Sequence, residues 1–179
     1  MTFLELVKKR ESVRKYLPKP VPKDAIERCL EAARLAPSAC NSQTWKFIVI
    51  DDTNLKKKLS DEAFSGIYSM NSFAKEAPVI IAVVTERSKY IARLGGSFRG
   101  IQYNLIDIGI ACEHLMLAAA EDGIGTCFIG WFNENAVKKF LGIRKENKID
   151  ILISLGYPVP GATRKKDRKP MDEIRVYNI

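Results

Sequence analysis

The sequence predicts a single domain in which helices pack on a buried sheet, and three features predict it. The run from Pro78 to Val84 is apolar throughout and rich in β-branched residues, and Lys148 to Leu155 contains a second such run. A strand exposed on one face alternates apolar with polar residues, whereas a continuous run marks a strand covered on both faces. Residues 101–121 carry the longest helical pattern, with Ile101, Leu105, Ile108, Cys112, Leu115 and Ala119 at steps of four and three. Ile106, Ile110 and Leu117 lie on the opposite side, so this helix is apolar over more than one stripe. It is either the core helix of a monomer or one that packs on its own fold with one side and on a second subunit with the other. A domain of this size seldom surrounds a helix completely, which favours the second reading.

Taken in order, Phe3, Leu6 and Val7 stand at helical spacing over residues 2–9, with lysines on the other face, and this short helix delivers Arg10-Glu11-Ser12-Val13-Arg14. Tyr16 to Pro22 holds three prolines at alternate positions, which fix extended backbone and make a strap across the surface. Pro22 suits the first turn of a helix whose stripe, Ala25, Ile26, Cys29, Leu30 and Ala33, runs to Ala36 and stops at Pro37. Residues 37–45 are small, polar and turn-prone, and they precede a strand over Lys46 to Ile50. Residues 53–62 read as a lysine-rich surface helix and 65–77 as irregular or weakly helical, while Gly95, Gly96 and Gly100 mark a loop. Gly123 closes the long helix, a strand follows as far as Gly130, and Asn133 caps a helix over Glu134 to Leu141. After the second buried strand come Gly156-Tyr157-Pro158, a basic stretch from Arg164 to Lys169, and Ile174 to Tyr177, which alternates like an edge strand. No repeat, linker or low-complexity tract interrupts the 179 residues, so residues 1–179 form one domain.

Composition narrows the function. Apolar residues make up 46% and charged residues 28%, ordinary for a globular protein, and no run reaches the roughly 20 apolar residues of a membrane span. Met1 to Glu5 leads straight into helical pattern and not into a signal peptide, and the expected location is the cytoplasm. Four cysteines without CxxC spacing and a single histidine, His114, argue against structural disulfides and a metal centre. His114 reads as a helix-surface or interface residue. There is no GxSxG elbow, no HExxH, and no GxGxxG following a first strand. The net charge of +8 favours anionic partners, but it is spread over four stretches and not concentrated on one helix or stripe. Planar guanidiniums grip phosphate oxygens through paired charge-assisted bonds, and a neighbouring hydroxyl adds a neutral donor, so Arg10, Ser12 and Arg14 suit a phosphate. Phosphate ligands, polar loops and glycine-ended strands, without a nucleophile or acid-base pair, fit a protein whose reactive centre is a cofactor.

The same residues carry a family resemblance. Arg10-x-Ser12-x-Arg14 resembles the RxSxR element of the nitroreductase family, and Ala36-Pro37-Ser38-x-x-Asn41-x-Gln43-x-Trp45 resembles its APSxxNxQPW loop. Gly123-x-Gly125-Thr126-Cys127-Phe128-Ile129-Gly130 resembles GLGTCWIG, and Gly156-Tyr157-Pro158 with Arg168-Lys169-Pro170 resembles the closing GYP and RKP elements. Thr44 stands where the family motif has proline, a change expected to alter loop stiffness only. The family's middle flavin contacts do not align between Gly66 and Lys75, which leaves Asn71 and Lys75 without assigned roles.

The resemblance implies an α+β, three-layer nitroreductase-like fold, its central sheet mostly antiparallel and flanked by helices, in an intertwined homodimer with an FMN in each of two interface sites. It implies that Arg10 and Ser12, with Arg168 and Lys169 from the tail, hold the FMN phosphate, and that Arg14 approaches the pyrimidine edge of the flavin. Pro37, Ser38, Ala39 and Asn41 would reach the flavin of the other subunit, and Ile129-Gly130-Trp131 would present backbone amides to N5 and O4. The implied activity is NAD(P)H-dependent reduction of nitroaromatics, quinones or flavins by ping-pong hydride transfer, flavin N5 being the reactive centre and no protein group a catalytic acid or nucleophile. A specialised flavin enzyme of the same fold, a dehalogenase, azoline oxidase or flavin-fragmenting type, is the alternative. From another class, a basic polyanion-binding module would show itself as DNA or RNA binding with steep salt dependence; the flavoprotein reading expects neither nucleic acid nor membrane as a partner.

Overall fold

The computed structural model describes residues 1–86, 100–162 and 166–178; Gly95, Gly96 and part of the basic stretch expected at 164–169 lie outside them. Helix α1 (Phe3–Lys9) begins with a capping box, in which Thr2 Oγ1 accepts from the Glu5 amide at 3.3 Å and Glu5 Oε2 accepts from the Thr2 amide at 2.7 Å. None of its residues is buried, so Phe3 and Leu4 face away from the core of this chain. Helix α2 (Lys23–Arg34) follows Pro22 and buries Ala25, Ile26, Cys29 and Ala33. A short 3₁₀ turn, Ala39–Asn41, leads to strand β1 (Trp45–Ile50). Helix α3 (Thr53–Ala63) starts at Asp52, whose carboxylate accepts from the Asn54 and Leu55 amides. The weakly helical stretch is 3₁₀ helix over Gly66–Glu76, and strand β2 (Val79–Thr85) follows. Helix α4 (Tyr103–Glu121), strand β3 (Gly125–Ile129), helix α5 (Glu134–Leu141), strand β4 (Lys148–Gly156) and a single turn, α6 (Met171–Ile174), complete the chain. Gly142 ends α5 in the left-handed conformation, φ 65°, where a side chain would be strained.

The four strands form one antiparallel sheet in the order β1-β2-β4-β3. The two continuous apolar runs therefore lie at its centre, and their alternate residues enter different cores. Val79, Ile81, Val83, Ile153 and Leu155 pack with α2 and α4 on one face. Ile80, Ala82, Val84 and Leu152 pack with α3, α5 and Phe64 on the other, which makes three layers. On α4, Ile108, Cys112, Leu115 and Ala119 are buried as their spacing implies, while Leu105 and Ile106 are exposed. Among the described residues no helix is long and apolar enough to cross a membrane.

The C-terminal segment differs from its expectation. Ile174 to Tyr177 was to be an edge strand, but Ile174 closes α6 and residues 175–178 pair with no strand. The guanidinium of Arg175 lies 5.2 Å from the Tyr177 ring, the i,i+2 relation of extended backbone. Extended backbone alone does not make a strand, which also needs a ladder partner, and the described residues offer the segment none.

The strap starts earlier than its prolines indicated. Ser12 bridges Thr126 in parallel and Tyr16 bridges Pro158 in antiparallel fashion, with Val13 N donating to Thr126 O at 2.9 Å and Leu17 N to Tyr157 O at 2.8 Å. Tyr16 is buried; its hydroxyl donates to Val13 O at 2.7 Å and accepts from Ser154 Oγ at 2.8 Å. Burial raises its pKa above the ordinary tyrosine value, so it remains a neutral donor. Two glycines make room: a Cβ on Gly125 would fall inside the Val13 side chain, 2.8 Å from its Cβ, and one on Gly156 would lie 2.8 Å from Pro78 Cγ. Gly125→Ala is expected to cost about 1–3 kcal/mol in urea melts by overpacking. The Gly125→Ala, Val13→Ala double variant should be more stable than the two single losses added together, because the second change removes the clash.

Candidate functional site

The strap sets one wall of a site at the C-terminal end of α1. Arg10 is the residue that closes α1, and its side chain is only 18% exposed. Its Nε lies 3.4 Å from Glu113 Oε1 on α4, within ion-pair range, yet it is buried and makes no directed hydrogen bond. The tail returns to the same place: the Lys166 ammonium donates to the carbonyl of Lys8 and, at 2.5 Å, to that of Arg10. Its pKa is lowered first by burial, then by the nearby charge of Arg10, with Arg168 adding to the repulsion and Glu11 opposing it. A lysine held against backbone carbonyls beside two guanidiniums leaves positive charge in want of an anion. A cavity of about 190 Å³ opens beside it, lined by Arg10, Glu11, Gly123, Gly125, Thr126 and Pro158.

Of the two tail residues expected here, Arg168 and Lys169 are both exposed, and the Arg168 guanidinium donates to the neighbouring Asp167 carbonyl at 2.5 Å. Among the described residues, Lys166 is the tail cation seated on α1. Its sequence signal was membership of a basic run, which does not single out one lysine from its neighbours. Ser12 is half-buried at the bridge to Thr126, between Glu11 and Val13 and two residues after Arg10.

The second wall is the end of β3. Arg14 is half-buried, its Nη1 3.4 Å from the Ser12 carbonyl and its guanidinium 5.7 Å from the centre of the Phe73 ring. Two residues before Phe73, Asn71 Nδ2 donates to the Trp131 carbonyl at 2.8 Å. Trp131 Nε1 donates in turn to the Ile67 carbonyl at 3.1 Å, and its ring lies 5.2 Å from that of Tyr68. The 3₁₀ segment 66–76 therefore joins Arg14 to Ile129-Gly130-Trp131, with Ile129 buried and Gly130 and Trp131 exposed. Asn71 belongs to this wall, whereas Lys75 forms an ion pair with Asp61 at 2.8 Å and takes no part in it. Irregular backbone carries no periodic signal, so neither placement could be read beforehand.

Loop 37–43 stands apart from both walls. The Ala39 amide donates to Asp107 Oδ1 at 3.0 Å and Ser42 Oγ to Asp107 Oδ2 at 3.4 Å, the Gln43 amide donates to Ser38 Oγ at 3.0 Å, and Gln43 Nε2 to Asn41 Oδ1 at 2.7 Å. Pro37 and Asn41 are exposed, and Ser38 and Ala39 half-buried. Thr44, in the place of the motif's proline, is buried and its Oγ1 has no partner. His114 Nδ1 lies 3.2 Å from the Ala32 carbonyl where α4 meets α2, so it donates there and serves packing.

The donor set fits the phosphate end of FMN. A buried Arg10 Nε without a hydrogen bond, Lys166 crowded by like charge, the Ser12 hydroxyl and the opening beside Gly125 are what a phosphate monoester needs. At about 190 Å³ the cavity has room for that group but not for a whole flavin nucleotide.

Comparison with known proteins agrees with this geometry. The chain is 32% identical over 161 residues, 87% of its length and 84% of the relative's, to a putative NADH dehydrogenase/NAD(P)H nitroreductase of Archaeoglobus fulgidus. It is 29% identical to iodotyrosine deiodinase 1 of Rattus norvegicus, covering 97% of this chain and 68% of that one. Among solved structures it resembles a putative nitroreductase from Exiguobacterium sibiricum, determined in complex with FMN, with a TM-score of 0.81 and 26% identity over 99% of this chain and 98% of the other. The Nitroreductase family model matches residues 7–69 and 68–157, and this chain belongs to the nitroreductase family.

Proposed function

We propose that this protein is an FMN-dependent oxidoreductase that uses NADH or NADPH to reduce small acceptors such as nitroaromatics, quinones or flavins. The observation that carries the reading is the Arg10–Lys166 cluster, a pair of partly desolvated cations beside a phosphate-sized cavity in a chain of this family. When bound, FMN supplies the two-electron redox chemistry that connects the nicotinamide to the acceptor. The chain supplies binding and electrostatics. Arg10, Ser12 and Lys166 grip the phosphate, with Arg168 and Lys169 within the same tail to close over it. Arg14, held over Phe73, offers a fixed positive charge to the pyrimidine edge, where a preorganised cation favours the electron-rich form. Asn71 and the Ile129-Gly130-Trp131 backbone border the redox-active edge, and no side chain is asked to transfer a proton.

One chain leaves much of a flavin uncovered, and the reading includes a homodimer whose second copy brings Pro37, Ser38, Ala39 and Asn41 to the site. The exposed Phe3 and Leu4 of α1, Leu105 and Ile106 of α4, and Ile174 and Val176 of the tail are the apolar surface such a dimer would cover. A second reading, reductive dehalogenation on the same cofactor, is favoured by the similarity to iodotyrosine deiodinase 1 across 97% of this chain.

Protein reconstituted with FMN and desalted is expected to keep flavin absorbance, to bleach anaerobically under NADH or NADPH, and to show twice the 20.1 kDa chain mass by light scattering. Absence of retained flavin sinks the cofactor reading, and a monomer sinks the dimer. Retained flavin with no NAD(P)H turnover on nitroaromatics or quinones moves the choice to the dehalogenase reading. The two guanidiniums have different tasks: Arg10→Ala should weaken FMN binding about tenfold or more by removing a charged phosphate donor. Arg14→Ala should chiefly lower the flavin reduction potential, measured against redox dyes; equal effects of both changes on both quantities contradict the division.

A further inference from the structure

We infer that Asp107 is a positioning residue for the cofactor site: it fixes loop 37–43 in the conformation that faces flavin. The inference rests on the FMN reading proposed above. Its starting point is an unusual concentration of backbone strain. Cys40, Asn41 and Gln43 have φ values of 52°, 50° and 45°, three residues other than glycine in the left-handed region within four positions. Such a loop relaxes unless its surroundings over-determine it. The restraint from outside the loop is a carboxylate on α4. Asp107 is 3% exposed in a helix whose neighbours Ile106 and Ile108 are apolar, and each of its oxygens meets one loop donor, the Ala39 amide at 3.0 Å and the Ser42 hydroxyl at 3.4 Å. A buried charge with so few donors is a costly way to fill a core position, since an apolar side chain of similar volume packs there without desolvation. Its use is directional: two acceptor oxygens, rigidly carried by a helix packed on the sheet, grip the loop on both sides of Cys40 and Asn41 and immediately before Gln43. The bonds inside the loop, Gln43 amide to Ser38 and Gln43 side chain to Asn41, close the turn but do not orient it relative to α4.

The test compares two substitutions of similar size. Asn retains an acceptor for the Ala39 amide and places a donor against Ser42, whereas Leu fills the volume and bonds to neither. In flavin-free protein, the Ala39 amide of the wild type is expected to be protected from hydrogen exchange, Asp107→Leu to lose that protection by about tenfold or more, and Asp107→Asn to keep most of it. FMN titration should give a dissociation constant about tenfold weaker for Asp107→Leu and within about threefold of wild type for Asp107→Asn. Unprotected Ala39 in the wild type overturns the proposal without any variant, so it stays open to refutation even if the Leu substitution does not fold. Equal behaviour of Leu and Asn in exchange reduces Asp107 to a packing residue, and a freed loop with unchanged FMN affinity separates the loop from the cofactor; either result refutes the inference. A wild type that binds no FMN defeats the function proposed above, while the exchange measurement still judges the contact between Asp107 and the loop.

Discussion

The site depends on how closely the strap 12–17 lies against one end of the sheet. Side chains at residues 125 and 156 would hold it off, because Val13 and the Pro78–Tyr16 pair occupy the space where their Cβ atoms would stand. With glycine at both places, backbone bonds from Val13 to Thr126 and from Leu17 to Tyr157 close, and the buried Tyr16 hydroxyl ties Val13 to Ser154 on the central strand β4. A segment held at both ends and in its middle has no freedom to rotate. Arg10, Ser12 and Arg14 are thereby presented at fixed spacing, Arg10 on the cavity, Ser12 at the bridge to Thr126 and Arg14 over Phe73.

Helix α4 is the second organiser. Glu113 faces Arg10 and Asp107 grips loop 37–43, so one rigid rod, packed on the sheet through Ile108, Cys112 and Leu115, carries a polar contact to each of two otherwise separate parts. Both contacts are carboxylates with partial satisfaction. Glu113 stands at ion-pair distance from Arg10 without directing a hydrogen bond, and so does not neutralise it in the way a bidentate pair would. That imperfection keeps the guanidinium in place yet leaves its donors for another anion. Lys166 follows the same logic, being anchored by carbonyl dipoles and not by a carboxylate.

The layered fold was legible because its signals are periodic. Continuous apolar runs gave β2 and β4 to within a residue or two, and alternate burial into two cores is the reason they are continuous. The Asn133 cap marked the start of α5. The Arg10–Arg14 wall was legible as chemistry, because guanidiniums and a hydroxyl in five residues say what they bind before they say where they lie. What escaped was contact between aperiodic segments. Asn71 meets Trp131 across 60 positions, Lys166 meets Arg10 across 156, and Asp107 meets Ala39 across 68, with nothing in the local pattern to announce any of them. Asp107 did leave one trace, a lone carboxylate in an apolar stretch of helix, which a search for polar residues at core positions would have found. The tail differs for a related reason: alternation at 174–177 is a property of one segment, but pairing is a property of two, and Ile174 closes a helical turn instead.

The net charge of +8 takes on a different meaning once the site is drawn. Spread over a surface, such an excess attracts any polyanion and discriminates little. Here, at least three of the cations, Arg10, Lys166 and Arg14, are partly withdrawn from water, Arg10 beside Glu113 and the other two aimed by backbone carbonyls or an aromatic ring, which strengthens their fields locally and shortens their reach. On the proposed reading the anion is small, because Arg10 lines an opening of only about 190 Å³ that Val13 of the strap borders on one side. A phosphomonoester at the end of a planar, apolar ring system meets every requirement at once. On the proposed reading its charge would enter the Arg10 cavity while the ring would extend towards Arg14, Asn71 and the exposed end of β3. On the FMN reading proposed above, a preference for a flavin nucleotide over nucleic acid would follow from where the charge is buried and not from how much of it there is.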